Sequence, residues 1–223
     1  MTNKKSIHYV KFNPHHNNNL LESLIACYQS VFADEPWNEW KKCQICGAQW
    51  GINDRKNLEA LNFHHCAECV IDFWPSEVVR NDIYKEIMSM SSCWLALSDL
   101  KVIGFCWGYP IQINELEKKL KLPNFANSLL SHFRNECNVA YQDEIGVLRQ
   151  YRQKGIAKEM FLKRLKDFQL LGLKIGVVRT LEDNFSVPYQ WYQKLGYQII
   201  DKYDRCNDDD KRIILAKDIS NFY

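Results

Sequence analysis

Apolar spacing marks the elements of this chain before any other property is considered. Ile7 to Phe12 reads as a strand, stopped by Asn13-Pro14 and the polar run His15 to Asn19. Leu20, Leu24, Cys27 and Val31 then recur at three- and four-residue steps, predicting a helix over Leu20 to Phe32. Pro36 breaks that pattern within Ala33 to Trp40. Pro75 and Ser76 open a second helix with the stripe Val79, Ile83, Ile87, and Cys93 to Leu97 and Val102 to Trp107 form a hairpin about the polar turn Ser98-Asp99. Short helices follow at Leu116 to Leu122 and Ala126 to Phe133, divided by Pro123.

The last third of the chain is more regular. Val139 to Val147 is a strand that runs into a glycine-containing turn, after which Ala157, Phe161, Leu165 and Phe168 mark the buried face of a helix ended by Gly172. Leu173 to Val178 reads as a buried strand and Val187 to Leu195 as a short helix closed by Gly196. Tyr197 to Tyr203 and Ile213 to Lys217 form a terminal hairpin. The expected class is α/β, a mixed sheet flanked by helices, with residues 1–223 forming one domain and residues 41–74 an insertion within it.

Composition narrows the function classes. Lys and Arg number 29 against 27 Asp and Glu, so no global basic field points to nucleic acid, and Lys41, Lys42, Arg55 and Lys56 are a local cluster only. The first ten residues hold no apolar signal region and no stretch has the length of a membrane span, which leads to the expectation of a cytoplasmic protein without membrane partners. Nine cysteines then point to metal binding and core thiols, not to a disulfide framework.

Their spacing supports that. Cys43-x2-Cys46 and Cys66-x2-Cys69 stand nineteen residues apart, within the range of four-cysteine zinc sites, and each pair supplies two thiolates from one turn. His64 and His65 adjoin the second pair and are able to replace one cysteine. Four such ligands leave no open position for water, so the zinc is expected to be structural. Trp37, Trp40, Trp50, Phe63, Phe73 and Trp74 are expected to form mostly the small core of this loop, and Asp34, Glu35 and Glu39 at its mouth are either solvated or placed to attract a cationic amine.

The turn Arg152-Gln153-Lys154-Gly155-Ile156-Ala157 sits between a strand and a helix, where backbone N–H groups and the positive helix end converge on one point. Gly155 permits close approach of an anion, and Arg152 and Lys154 add positive charge. Further on come Asn184 and Tyr192-Gln193-Lys194-Leu195-Gly196-Tyr197. With these residues in order the sequence resembles the GNAT superfamily. That family's phosphate motif is Gln or Arg, two residues, Gly, one residue, then Gly or Ala, after a valine on the fourth strand. Its later motif is an Asn, a short helix and Tyr-x-Lys-x-Gly-Phe or Tyr. Two departures are visible: Arg149 stands where Pro is usual, and the interval from Asn184 to Tyr192 is about one residue longer.

The resemblance implies a GNAT fold with a splayed mixed sheet, acetyl-coenzyme A as cosubstrate and transfer of its acetyl group to an amine. An alkylammonium with a pKa of about 10 must lose a proton before it attacks. The resemblance puts a carboxylate on the strand before the turn in that role: Glu144 is preferred, with Asp143 or a water relay as alternatives. It also implies the Val147 N–H as oxyanion donor, Tyr192 as proton donor to the departing thiolate, and Asn184 as a contact to the pantetheine arm, where an N-cap role serves equally. The acceptor would be a small-molecule or peptide amine. The rival reading is a non-catalytic acyl-coenzyme A binding module whose zinc loop contacts protein or nucleic acid.

Overall fold

The computed structural model of the protein describes residues 6–53, 55–133, 136–182, 187–203 and 212–221. Its elements, in chain order, are β1 (His8–Lys11), α1 (Leu21–Phe32), β2 (Lys41–Cys43), β3 (Gln49–Trp50), α2 (Arg55–Phe63), β4 (Val70–Asp72), α3 (Ser76–Glu86), β5 (Ser92–Ser98), β6 (Lys101–Gln112), α4 (Ile113–Leu120), α5 (Phe125–His132), β7 (Asn138–Val147), α6 (Ile156–Leu170), β8 (Ile175–Leu181), α7 (Val187–Lys194), β9 (Gln198–Lys202) and β10 (Arg212–Asp218). Seven strands form a mixed sheet in the order β1-β5-β6-β7-β8-β10-β9, and β3-β2-β4 form a small separate sheet. The chain clusters into two compact units, through both of which strands β6 and β7 and helix α6 run.

The first unit covers Met1–Ser89, Cys93–Cys106 and Ile145–Phe161. Here β1 pairs antiparallel with β5, in register Tyr9 to Ala96. The β5–β6 hairpin turns on Asp99 and Leu100, both at positive φ (49° and 63°), as a two-residue turn requires. Tyr28 and Phe32 of α1 pack with Phe105 of β6, and Trp37 and Trp74 join this aromatic layer. Thus Trp37 and Trp74 serve the α1 core and not the small core of the loop. Of the aromatics assigned to that small core, Trp50 sits in it beside Cys43 and Cys66, whereas Phe63 is 87% exposed. The insertion also holds a helix of its own, α2, so it spans α1 to α3.

The second unit covers Met90–Ser92, Trp107–Glu144 and Leu162–Tyr223. Ile113, Leu116 and Leu120 of α4, with Phe125 and Leu129 of α5, cover Val139 and Tyr141 of β7, Ile175 and Val177 of β8 and Ile214 of β10. β10 runs antiparallel to both β8 and β9, with a register shift at Ile214/Leu215. β7 and β8 are parallel, and their register joins Ala140 to Gly176 and Tyr141 to Val177. Beyond that point the two strands part, although β7 continues to Val147 and β8 to Leu181. This is the splay expected from the sequence.

Candidate active site

In the first unit, the turn after β7 curls because Gln153 (φ 61°) and Gly155 (φ 77°) alternate with residues of ordinary φ. Such a curl turns successive N–H groups toward one side. α6 then begins at Ile156, and the N–H groups of its first turn have no acceptor within the helix. A Cβ built on Gly155 meets no atom within 4 Å, so glycine is required there by its φ, and the face it leaves is open. Lys154 Nζ donates to the Gln150 carbonyl at 2.9 Å and lies 5.1 Å over the Tyr151 ring.

Arg152 does something the sequence did not suggest. Its Nε donates to the Val147 carbonyl at 3.0 Å and one terminal nitrogen to the Glu35 carbonyl at 3.0 Å, while the other lies 3.6 Å from the Asp34 carboxylate. The guanidinium therefore binds its own turn to the end of α1. Asp34 is only 5% exposed and also accepts from Arg149, while Glu39 accepts from the Trp74 indole at 2.7 Å. Neither carboxylate is a free amine attractor of the kind entertained from sequence.

In the second unit, the wedge between β7 and β8 opens beside a buried cation. Arg164 of α6 is 0% exposed; it donates to the Trp107 carbonyl at 2.7 Å, the Glu144 carbonyl at 3.0 Å and Gln142 Oε1 at 2.9 Å. Gln142 Nε2 passes the network on to the Tyr197 hydroxyl at 2.6 Å. Tyr197 packs edge-on against Tyr192, their ring centres 5.1 Å apart, and burial pushes the Tyr197 hydroxyl pKa up. Tyr192 on α7 is 1% exposed. Asp143 accepts from the Tyr109 hydroxyl at 2.7 Å and lies 3.2 Å from Lys119 Nζ, so its carboxylate is engaged. Glu144 is half-buried.

In the inserted loop, Cys43, Cys46, His64 and Cys66 bring their ligand atoms within 4.8 Å of one another. Cys43 ends β2, and a tight turn with Gly47 at φ 73° closes as the Gly47 N–H bonds the Cys43 carbonyl at 3.0 Å. The N–H of Cys46 bonds the Cys43 sulfur and pulls its thiol pKa down to about 6, whereas burial pushes Cys66 up to about 11. Cys69 lies outside the cluster, on the single turn Ala67–Cys69, and its carbonyl accepts the Gln44 N–H at 3.1 Å. Spacing had named Cys69; the fold gathers His64 with the other three.

Residues 58–197 match the model of the Acetyltransferase (GNAT) family. The chain belongs to this family. It is thereby an enzyme, an acetyltransferase by class. No curated protein sequence matches it significantly. Arabidopsis thaliana NAA60 in complex with acetyl-CoA is similar in structure, with a TM-score of 0.57 and 14% identity, over 97% of this chain and 100% of that one. An aminoglycoside 6'-acetyltransferase type Ii gives 0.55 and 14%, over 95% and 97%. The PaiA N-acetyltransferase of Thermoplasma acidophilum in complex with coenzyme A gives 0.50 and 17%, over 96% and 99%. At these identities the likeness shows the fold.

Within this GNAT chain the residues named from sequence fall into separate groups. Val147, at the end of β7, and Arg152, Gln153, Lys154, Gly155, Ile156 and Ala157, of the turn and the start of α6, belong to the first unit, and Glu144 and Tyr192 to the second. Asn184 lies outside the described residues. Arg164 escaped the sequence reading, although it sits three residues after Phe161 and one before Leu165, on the predicted buried face of α6. A charged residue inside an apolar stripe was the available signal.

No helix among the described residues is long and apolar enough to cross a membrane.

Proposed function

We propose that this enzyme transfers the acetyl group of acetyl-coenzyme A to a primary amine by direct attack in a ternary complex, as one catalytic domain with a zinc-stapled insertion. The observation that carries the reading is on a single strand: β7 loses its β8 partner after Tyr141 and ends in the glycine turn. Unpaired strand edges suit the amides of a pantetheine arm, and the turn suits a pyrophosphate, through the backbone of Gln153 to Ala157.

Glu144 takes the proton of the ammonium, directly or through water; Asp143, held by Tyr109 and Lys119, is the alternative on the same strand. The amine nitrogen attacks the thioester carbonyl carbon, with the Val147 N–H facing the developing oxyanion. The carbon–sulfur bond breaks as Tyr192 donates its proton to the leaving thiolate, and the second proton shed by the nitrogen as it becomes an amide returns to the Tyr192 oxygen through water. Asn184 is assigned to the pantetheine arm. The acceptor is a small-molecule or peptide amine.

The donor set of the loop fits zinc, since thiolates and an imidazole converge at tetrahedral spacing. Cys43, Cys46 and Cys66 would hold it with His64, and Cys69 is the alternative fourth ligand. Zinc would supply a closed structural staple with no position for water. An assay of free-thiol release from acetyl-coenzyme A across a panel of amines tests the whole reading. Release should depend on the acceptor; tight coenzyme binding with no amine-dependent release would refute it.

A further inference from the structure

Asp34 is a carboxylate with 5% exposure at the end of α1, and burial of that kind is tolerated only with donors around it. It has them from two directions. Arg149 and Arg152, at the entry to the phosphate turn, approach it at 3.0 and 3.6 Å. From the metal loop, the Asn53 side-chain amide donates to the same oxygen as Arg149, and the Ile52 N–H bonds the neighbouring Ala33 carbonyl at 2.9 Å. Ile52 and Asn53 link β3 to α2, between the ligands Cys46 and His64.

We infer that Asp34 is a positioning residue for coenzyme A: it holds the phosphate turn in its binding shape and joins that shape to the order of the metal-stapled loop. The inference rests on the reading of the turn as the coenzyme site. Arg152 is the intermediary, because its remaining donors grip the Val147 and Glu35 carbonyls and so fix both ends of the connection. If the loop loosens, Asp34 loses Asn53 and the backbone tie beside it. The turn then loses part of its support, although no loop residue touches the cofactor.

The sign of one substitution separates this from simple charge balance. Were Asp34 only neutralising two arginines that bind phosphate, Asp34→Asn would free positive charge and tighten coenzyme A binding. Positioning requires the reverse. Calorimetry on the metal-loaded full chain should show coenzyme A bound roughly tenfold more weakly by Asp34→Asn, within the usual range of coupling between sites. The KM for acetyl-coenzyme A should rise by about the same factor with kcat little changed. Asp34→Asn combined with Arg152→Gln should lose no more than Arg152→Gln alone.

Asn53→Ala, a milder change, should weaken coenzyme A binding about threefold. Chelation should weaken binding by the parent in the same way and add nothing to Asn53→Ala. Unchanged or tighter binding by Asp34→Asn and Asn53→Ala overturns the inference while leaving the coenzyme site standing. A parent that binds no coenzyme A overturns the proposed function beneath it.

Discussion

Between Lys41 and Asp72 the chain buries few apolar side chains, chiefly Cys43, Trp50 and Cys66, and leaves Ile45, Leu58 and Phe63 exposed. Around Gln142 the position is reversed: Gln142, Arg164, Tyr192 and Tyr197 are all buried, and a cation is held there by three oxygen acceptors. A short loop with so little core cannot order itself by burial, and donor chemistry has to do it. The wedge has ample burial, and its polar atoms instead fix where a strand parts from its neighbour. The two regions should therefore fail under different insults.

The largest effect is expected at the loop. Structural zinc contributes on the order of 10 kcal/mol to small stapled units, so Cys43→Ser or strong chelation should open the loop to protease between Trp40 and Trp74. Elemental analysis of the parent should find one zinc per chain. Metal-free protein with a protease-resistant loop would erase the contrast.

The wedge should answer to Arg164 instead. Arg164→Leu strands the Trp107 and Glu144 carbonyls and Gln142, at a cost of about 3–5 kcal/mol in denaturant unfolding. Arg164→Lys should recover little, because one ammonium cannot reproduce the guanidinium fork. Chelation should leave this region's unfolding almost unmoved.

Chemistry comes next in size. Tyr192→Phe should lower kcat about a hundredfold with little change in the KM for acetyl-coenzyme A, since the hydroxyl acts in the transition state. Glu144→Gln should remove the fall in rate toward acid that protonation of the base imposes on the parent. If both variants keep the parent's pH profile and turnover, Glu144 and Tyr192 are packing residues only.

The smallest effect lies at the β5–β6 turn. Leu100 is exposed at φ 63°, a conformation costly for any residue with a Cβ. Leu100→Gly should stabilise the protein by about 1 kcal/mol or somewhat less, read as a shift in denaturation midpoint. A loss of stability would mean that the leucine packs in a way its exposure hides.

What the sequence disclosed follows the same divide. Periodicity found β7, α6 and the glycine turn because burial and φ leave local marks on residue order. The cysteine pairs marked a candidate metal loop for a similar reason, since two ligands from one turn need a fixed spacing. That His64 or His65 could stand in for a cysteine was legible, but which donor of the four is exchanged was not, because it depends on how α2 and the turn after it return the chain to β2. Asp34 was equally hidden: it sits more than a hundred residues before Arg149 and Arg152. Nothing local separates a knotted carboxylate from a solvated one.

The central claim is that the turn from Arg152 to Ala157 receives the pyrophosphate of coenzyme A, and Gly155 tests it most directly. Gly155→Val places a branched side chain on the open face at a φ of 77°. Calorimetry should then show coenzyme A affinity reduced by about a hundredfold or more, with the thermal unfolding of the rest of the protein preserved. Binding as tight as the parent's would contradict the account.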